Sequence, residues 1–381
     1  MSPPKNPPEI TISETPSGTR PIAGVPTGVA AFIGLASQGP TDRALLVQSW
    51  SDFERQFGGL DPNSYLGYAV GHFFANGGAQ AYIVRLTTTG AAAVLAGAHL
   101  LDAVPIVNLL AVPGESDPGL IAQLQAYCVG RKAFLIADSA ADSTVATLQA
   151  GPDSRMTGAN AINSAFYFPW LNALDAQQNS TRPFPPSGFI AGLYAATDAA
   201  RGVWRSPAGL RANLTGQSGP VLDLTDPQIG MLSAHAVNCI RHIAQFGDVI
   251  WGDRTLGGSD QAVSDWKYVS VRRLALYIES SLYDGTRWVV FEPNNARLWT
   301  QLRSSVGAFM QTLFVQGAFQ GNTPAQAYFV TCDAGNNPQA SIDQGVVNIL
   351  VGFAPLRPAE FIVIQIQQMV AQSGGSGDNR R

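Results

Sequence analysis

Asp253 and Arg254, adjacent in Trp251-Gly252-Asp253-Arg254-Thr255-Leu256, are the residue types in this chain that first suggest chemistry. A carboxylate beside a guanidinium could work as an acid–base pair. A fixed structural ion pair at a strand end is the commoner arrangement and the one expected here. His235 and His242, with Cys239 between them, are metal-ligand types. A metal site needs its ligands on one face of one element, and this stretch crosses an expected helix–strand boundary, so core histidines and a buried thiol are expected instead. Nothing matches the G-x-x-x-x-G-K-[ST] phosphate loop, and no G-x-G-x-x-G follows a strand. The glycines from Gly24 to Gly34 read as small packing positions around a strand. No G-x-S-x-G nucleophile elbow occurs. The seven tryptophans are scattered, which suits core and interface anchors better than a stacking platform. No catalytic, cofactor-binding or metal-binding residue is assigned, and no enzyme is expected.

Composition points toward permanent contacts. Charged residues make up 13% of the 381 and hydrophobic residues 46%, against roughly 25% charged in an average soluble protein. Interface cores are depleted in charge, so a chain this poor in it is expected to hide much of its surface against partners. A monomer coated with Ser, Thr, Asn and Gln is the alternative. Net charge is −4, and lysine occurs only at Lys5, Lys132 and Lys267. Arginine forks onto carboxylates and suits interfaces better than lysine does. Arg272-Arg273 and Arg380-Arg381 are only pairs, not a nucleic-acid patch. No 18-residue apolar run suggests a membrane span, and the first eight residues lack a secretion-signal pattern. Cys128, Cys239 and Cys332 stand isolated in apolar contexts and read as buried thiols of a chain folded in a reducing compartment.

The elements that must position these residues alternate along the first two thirds. Strands are expected over Val29–Leu35, Ala81–Leu86, Val107–Val112, Ala133–Ala137 and Asn163–Trp170. Helices are expected over Ser49–Phe57, Ser64–Ala75, Pro118–Val129, Ser143–Gln149, Ser187–Arg201 and from Asp226 to about His235. Segments Arg182–Pro186 and Leu214–Pro220 read as loops, and Val237–Ile243 with Asp248–Leu256 as a hairpin turning at Gln245-Phe246-Gly247. The alternation predicts an α/β layered domain with a mostly parallel sheet. Gly257-Gly258-Ser259 then breaks the pattern. Beyond it come helices Val269–Leu282 and Asn294–Gln320, a short strand Arg287–Glu292, and strands Gln326–Cys332 and Gly345–Phe353, a small α+β domain. Expected boundaries are 1–24 for an N-terminal arm and linker, 25–258 for the outer α/β domain, 259–354 for the inner α+β domain and 355–381 for a C-terminal arm and tail.

Both ends carry an isolated strand. In Glu9-Ile10-Thr11-Ile12-Ser13-Glu14, Ile10 and Ile12 share one face. After Pro358, Ile362, Ile364 and Ile366 share one face, while Phe361 and Val363 begin the other before Gln365 and Gln367 turn it polar. Neither segment can fold alone, and each needs a host sheet. It is either the chain's own or a neighbour's.

The sequence resembles the contractile tail sheath family of phage tails, R-type tailocins and extracellular contractile injection systems. The likeness lies in Thr15-Pro16-Ser17-Gly18-Thr19-Arg20-Pro21-Ile22, Val25-Pro26-Thr27-Gly28-Val29-Ala30-Ala31-Phe32-Ile33-Gly34, Ser49-Trp50-Ser51-Asp52-Phe53-Glu54-Arg55-Gln56-Phe57-Gly58-Gly59 and Phe73-Phe74-Ala75-Asn76-Gly77-Gly78. It continues in Trp251–Leu256, Tyr268-Val269-Ser270-Val271-Arg272-Arg273-Leu274, Phe291-Glu292-Pro293-Asn294 and Arg357-Pro358-Ala359-Glu360-Phe361. The resemblance implies stacked hexameric rings of this chain around an inner tube, assembled in the cytoplasm into a phage tail or phage-like particle. Baseplate and terminator or cap proteins would be further partners, with no direct nucleic-acid or membrane contact. It also implies that arm strands at residues 9–15 and 359–370 complete the sheets of neighbouring subunits. Interface residues would then be Ile10, Ile12, Phe361, Ile362, Val363, Ile364 and Ile366. The modest length favours a minimal sheath. The rival expectations are a soluble α/β enzyme that closes its own sheet and a static tube or shell protein.

Overall fold

Residues 20–360 are described by a computed structural model. The seven arm positions, Ile10, Ile12, Phe361, Ile362, Val363, Ile364 and Ile366, lie outside the described residues.

The chain runs through β1 (Ala30–Leu35), β2 (Leu45–Val47), α1 (Trp50–Phe57), α2 (Leu66–Ala75), β3 (Ala81–Leu86), α3 (Ala91–Leu100) and β4 (Leu109–Ala111). It continues with α4 (Pro118–Arg131), β5 (Phe134–Asp138), α5 (Val145–Leu148), β6 (Ser164–Phe168), β7 (Leu171–Asp175), β8 (Ser180–Phe184) and α6 (Ser187–Arg201). Next come α7 (Asp226–Ala234), β9 (Val237–Ile243) and β10 (Gly247–Trp251). The last third holds α8 (Val269–Gly285), α9 (Ala296–Val315), α10 (Pro324–Ala327), β11 (Tyr328–Thr331), α11 (Gln339–Asp343) and β12 (Leu350–Phe353).

Eight strands form one sheet in the order β10-β9-β6-β5-β4-β1-β3-β2. Its interior pairs are parallel, and only β2 and β10, at the two edges, run antiparallel to their neighbours. Parallel strands are buried on both faces, which explains their continuous apolar character. The faces separate by parity: Ala30, Phe32, Phe134, Ile136, Ala165 and Tyr167 pack on one side with α2 and α6. Ala31, Ile33, Leu135, Ala137, Phe166 and Phe168 pack on the other with α3, α4 and α7. The result is a helix–sheet–helix sandwich. Helix boundaries follow local chemistry. Ser49 accepts a hydrogen bond from the Asp52 amide at the start of α1, and Gly58 ends it in a left-handed conformation at φ 87°.

The last third packs differently. Leu274 and Ile278 of α8 meet Val306, Phe309, Met310 and Leu313 of α9, with β11 and β12 laid against them. The opposite side of α8 carries Leu276 into the core under the large sheet, so this helix is shared by both cores. At the far end of α9, Leu298, Trp299 and Leu302 gather around Cys332.

Several expectations need correction. Arg182–Phe184 is not loop but part of β8, an edge strand paired with β7; an edge tolerates Pro183 because its missing N–H faces no partner. Arg287–Val289 is a turn of 3-10 helix instead of a strand, and Gly345–Ile349 lies outside β12. The hairpin's second strand stops at Trp251, because the following residues bond to another segment, the Thr255 amide donating to the Lys267 carbonyl at 2.9 Å. Strand β2, helix α3 and the β7–β8 hairpin carry no strong periodic signal and were not expected. Among the described residues no helix is long and apolar enough to cross a membrane.

Candidate assembly interface

Strands β11 and β12 pair antiparallel from Tyr328↔Phe353 to Thr331↔Leu350. Alternation turns Tyr328, Val330, Val351 and Phe353 toward α9. On the other face Phe329 is 52% and Leu350 56% exposed. Apart from a single bridge between Phe319 and Pro355, this sheet has only these two strands among the described residues. Two strands are marginal alone, and among the described residues no further strand pairs with their outer edges.

The first and last described residues are both held by side chains of the chain's own body. On the N-terminal side the Arg20 amide donates to the Ser305 hydroxyl of α9 at 3.0 Å, and the Arg20 guanidinium stacks 4.5 Å from the Trp288 ring centre. Farther along, the Val25 amide donates to the Ser281 hydroxyl of α8 at 3.1 Å. Ser305 and Ser281 are buried, so each helix serine presents its oxygen to the incoming backbone. Arg273 of α8 then closes the segment. It donates to the Thr27 carbonyl at 3.0 Å and forks onto the buried Asp198 of α6 at 2.9 and 2.6 Å.

On the C-terminal side the Gln320 amide donates to the Ala354 carbonyl at 2.9 Å. The chain then runs to Glu360, the last described residue. Arg254 holds that carboxylate with two donors, Nε to Oε1 at 2.8 Å and Nη2 to Oε2 at 3.0 Å. Its third nitrogen, Nη1, reaches Asp260 Oδ1 at 2.8 Å, which also accepts from Lys267 Nζ at 2.8 Å. The Tyr268 hydroxyl donates to Glu360 at 3.2 Å. Burial works against the charge on Arg254, but its bonds to Glu360 and Asp260 outweigh it and hold the guanidinium above its ordinary range. The Lys267 ammonium, working against partial burial, lowers Asp260 with help from Arg254. Asn238 of β9 fixes the backbone of Arg254 from both sides: Oδ1 accepts from the amide at 2.8 Å and Nδ2 donates to the carbonyl at 2.7 Å. Asn238 carried no signal in the sequence, because its partner lies across a hairpin turn.

Asp253 and Arg254 do not pair with each other, contrary to expectation. Consecutive side chains in extended backbone point to opposite faces. Asp253 turns inward and accepts from the Ser270 hydroxyl at 2.7 Å, while Arg254 reaches outward to Glu360. Burial raises the Asp253 carboxyl to about 7 against the opposing pull of Ser270 and Arg273.

The other chemical groups are occupied structurally. His242 is not a core histidine: its side chain is 60% exposed, and Nδ1 meets Asp248 of the paired strand at 2.8 Å. His235 caps the end of α7, while Cys239 is buried. Asp138, at the carboxyl end of β5 where α/β proteins place ligands, accepts from the Ser187 amide and hydroxyl at the start of α6 at 2.8 and 2.7 Å. Burial raises it to about 6 despite these bonds. His72 stacks 3.7 Å from the Phe189 ring centre and is pushed down to about 3 by burial. An open groove of about 480 Å³ between residues 157–162 and 256–264 is lined by no acid, base or histidine.

Residues 87–256 match the phage tail sheath protein central domain, and residues 261–369 match the phage tail sheath C-terminal domain. The chain belongs to the phage tail sheath family.

Its backbone superposes on the helical sheath of the anti-feeding prophage in its contracted state with a TM-score of 0.80 at 30% identity, covering 96% of this chain and all of that one. The sheath complex of an extracellular contractile injection system, PVC, also contracted, gives 0.77 at 30% identity over 97% and 100% of the two chains. The tail sheath protein of Vibrio phage KVP40 is 27% identical over 191 residues, which are 50% of this chain and 27% of that protein. This sheath-family chain thus spans about a quarter of that phage relative's length and the whole of the two injection-system chains.

Proposed function

We propose that this chain is the subunit of a contractile sheath, stacked in hexameric rings around an inner tube and shortening to drive that tube through a target envelope. Its outer α/β domain would span residues 25–258 and its inner α+β domain 259–354, joined to neighbours by arms at 1–24 and 355–381. Attachment is β-augmentation: the arm backbones supply the amides and carbonyls that β11 and β12 lack, and alternate side chains fill pockets. The observation that supports the reading is the two-stranded sheet with exposed Phe329 and Leu350, packed on α9, the helix whose Ser305 receives the Arg20 amide. Residues 361–370, extended at about 3.3 Å each, reach roughly 30 Å, enough to cross into an adjoining subunit. Donor and acceptor surfaces differ, so the contact is heterologous and propagates as a helix.

The work of contraction is drawn from free energy stored at assembly. A few kcal/mol per subunit needs only on the order of 100–200 Å² of additional apolar burial in the shortened lattice. Assembly takes place in the cytoplasm, and baseplate and terminator proteins close the ends. No catalytic role is proposed.

Electron microscopy of the full-length purified chain tests the reading. Tubes or stacked rings are expected, disappearing in Ile362→Lys and Ile364→Lys variants whose circular dichroism and melting match the parent. A parent that stays monomeric at every concentration overturns it, as do charged variants that assemble normally. Acid or urea separates a contractile sheath, with two lattices, from a static tube with one, and contraction that requires ATP would remove the stored-energy mechanism.

A further inference from the structure

Phe291 is fully exposed, at 102% of its reference accessibility, and the adjacent Val290 is 64% exposed. The backbone of Phe291 adopts φ 72°, a left-handed conformation that bulky residues avoid. The loop holds it out. On the near side Trp288 and Val289 pack into the core around Leu298 and Leu302, and the Glu292 amide donates to the Val289 carbonyl at 3.0 Å. Beyond it, Asn294 donates to the Val346 carbonyl at 3.0 Å and accepts from Trp299 at 2.8 Å. Phe291 is therefore a rigid apolar post between two fixed ends.

Its position links it to the arm roots. Arg20, the first described residue, stacks on Trp288 of the same loop. The Val346 segment that ties down Asn294 leads into β12, and Val346 is itself 43% exposed. We propose that Phe291 is a preformed inter-subunit anchor that seats in an apolar hollow on a second copy of this chain, alongside the strand-exchange contact. The occupant follows from continuity: the post stands on the loop that holds the N-terminal root and beside the lead-in to β12. Energetic hot spots are pre-ordered aromatics of this kind, ringed by weaker contacts.

The inference rests on the sheath reading, and one experiment separates their failures. Full-length parent, Phe291→Asn and Phe291→Tyr are compared by melting as dilute monomers and by the concentration at which tubes form. Asparagine tolerates the left-handed backbone, so the monomer is expected to melt at or above the parent temperature. Tube formation by Phe291→Asn is expected to require roughly tenfold or more higher concentration, with Phe291→Tyr near the parent. Parent tubes together with Phe291→Asn tubes at the same concentration would overturn the anchor alone. A parent that never assembles would overturn both readings. Normal self-assembly of Phe291→Asn combined with failure to enclose preformed inner tube would assign the post to the tube and overturn the second-copy occupant.

Discussion

Arg254 grips both carboxylate oxygens of Glu360, 106 positions away in sequence, at 2.8 and 3.0 Å. This fork joins the segment that follows the large sheet to the root of the C-terminal arm.

Removing the fork should loosen that root. The Arg254 side chain is 3% exposed and that of Glu360 23%, so the pair is partly desolvated and its loss leaves Lys267 as the one cation beside both Asp260 and Glu360 among the described residues. Arg254→Ala is expected to cost about 2 kcal/mol in urea unfolding, with Arg254→Lys recovering only part because an ammonium cannot bond both oxygens. A double-mutant cycle with Glu360→Gln should show coupling of about 1 kcal/mol; additive effects would mean the fork contributes nothing.

Asp253 gives a dependence on pH. An unfolded aspartate loses its proton near 3.8, whereas burial holds the folded one protonated up to about 7. The folded chain therefore binds more protons between those values, and the stability this group contributes is lost as pH rises from about 4 to 7. Asp138, raised to about 6, acts in the same direction. The groups facing Asp253 are Ser270, Ser206, Arg273, Tyr167 and Tyr194. Asp253→Asn keeps an acceptor for Ser270 and removes the titration. Its urea midpoint should fall less steeply across that window and exceed the parent's at pH 8; parallel curves would contradict the assignment.

Helices α2 and α6 touch backbone to backbone. A Cβ on Gly188 would lie 2.5 Å from the Ala69 carbonyl oxygen, and one on Gly192 would lie 2.4 Å from that of Phe73. Alanine favours an isolated helix by about 1 kcal/mol over glycine. Overpacking against immovable backbone costs about 1–3 kcal/mol or more. The second effect wins, so Gly188→Ala and Gly192→Ala should each lower the melting temperature, and a rise in either would show that the helices can part without loss.

The three thiols are all buried, and burial raises Cys128 and Cys239, the latter to about 12. Since only the thiolate attacks, a disulfide reagent at pH 8 should titrate none in the native chain and all three in denaturant. A fast-reacting native thiol would place one of them at the surface.

The sequence by itself determined the alternation of strands and helices in the first two thirds and the change to a helix-rich last third after Gly257-Gly258-Ser259. These signals are local, because backbone geometry repeats every two or 3.6 residues and burial imprints that period. The family likeness was legible for a related reason, as it sits in short contiguous stretches such as Ser49–Gly59, which spans α1 and its end.

Only the tertiary structure decided where Asp253 and Arg254 point and that Arg254 meets Glu360. It alone placed Asn238 on either side of Arg254 and held Phe291 away from the protein. Partner choice across 100 or more residues depends on which elements the cores bring together, and no periodicity within a segment encodes that. Strand β2 and the β7–β8 hairpin stayed illegible for the same reason. Three to five residues at a sheet edge follow the neighbour they pair with, and their own pattern is too short to announce it.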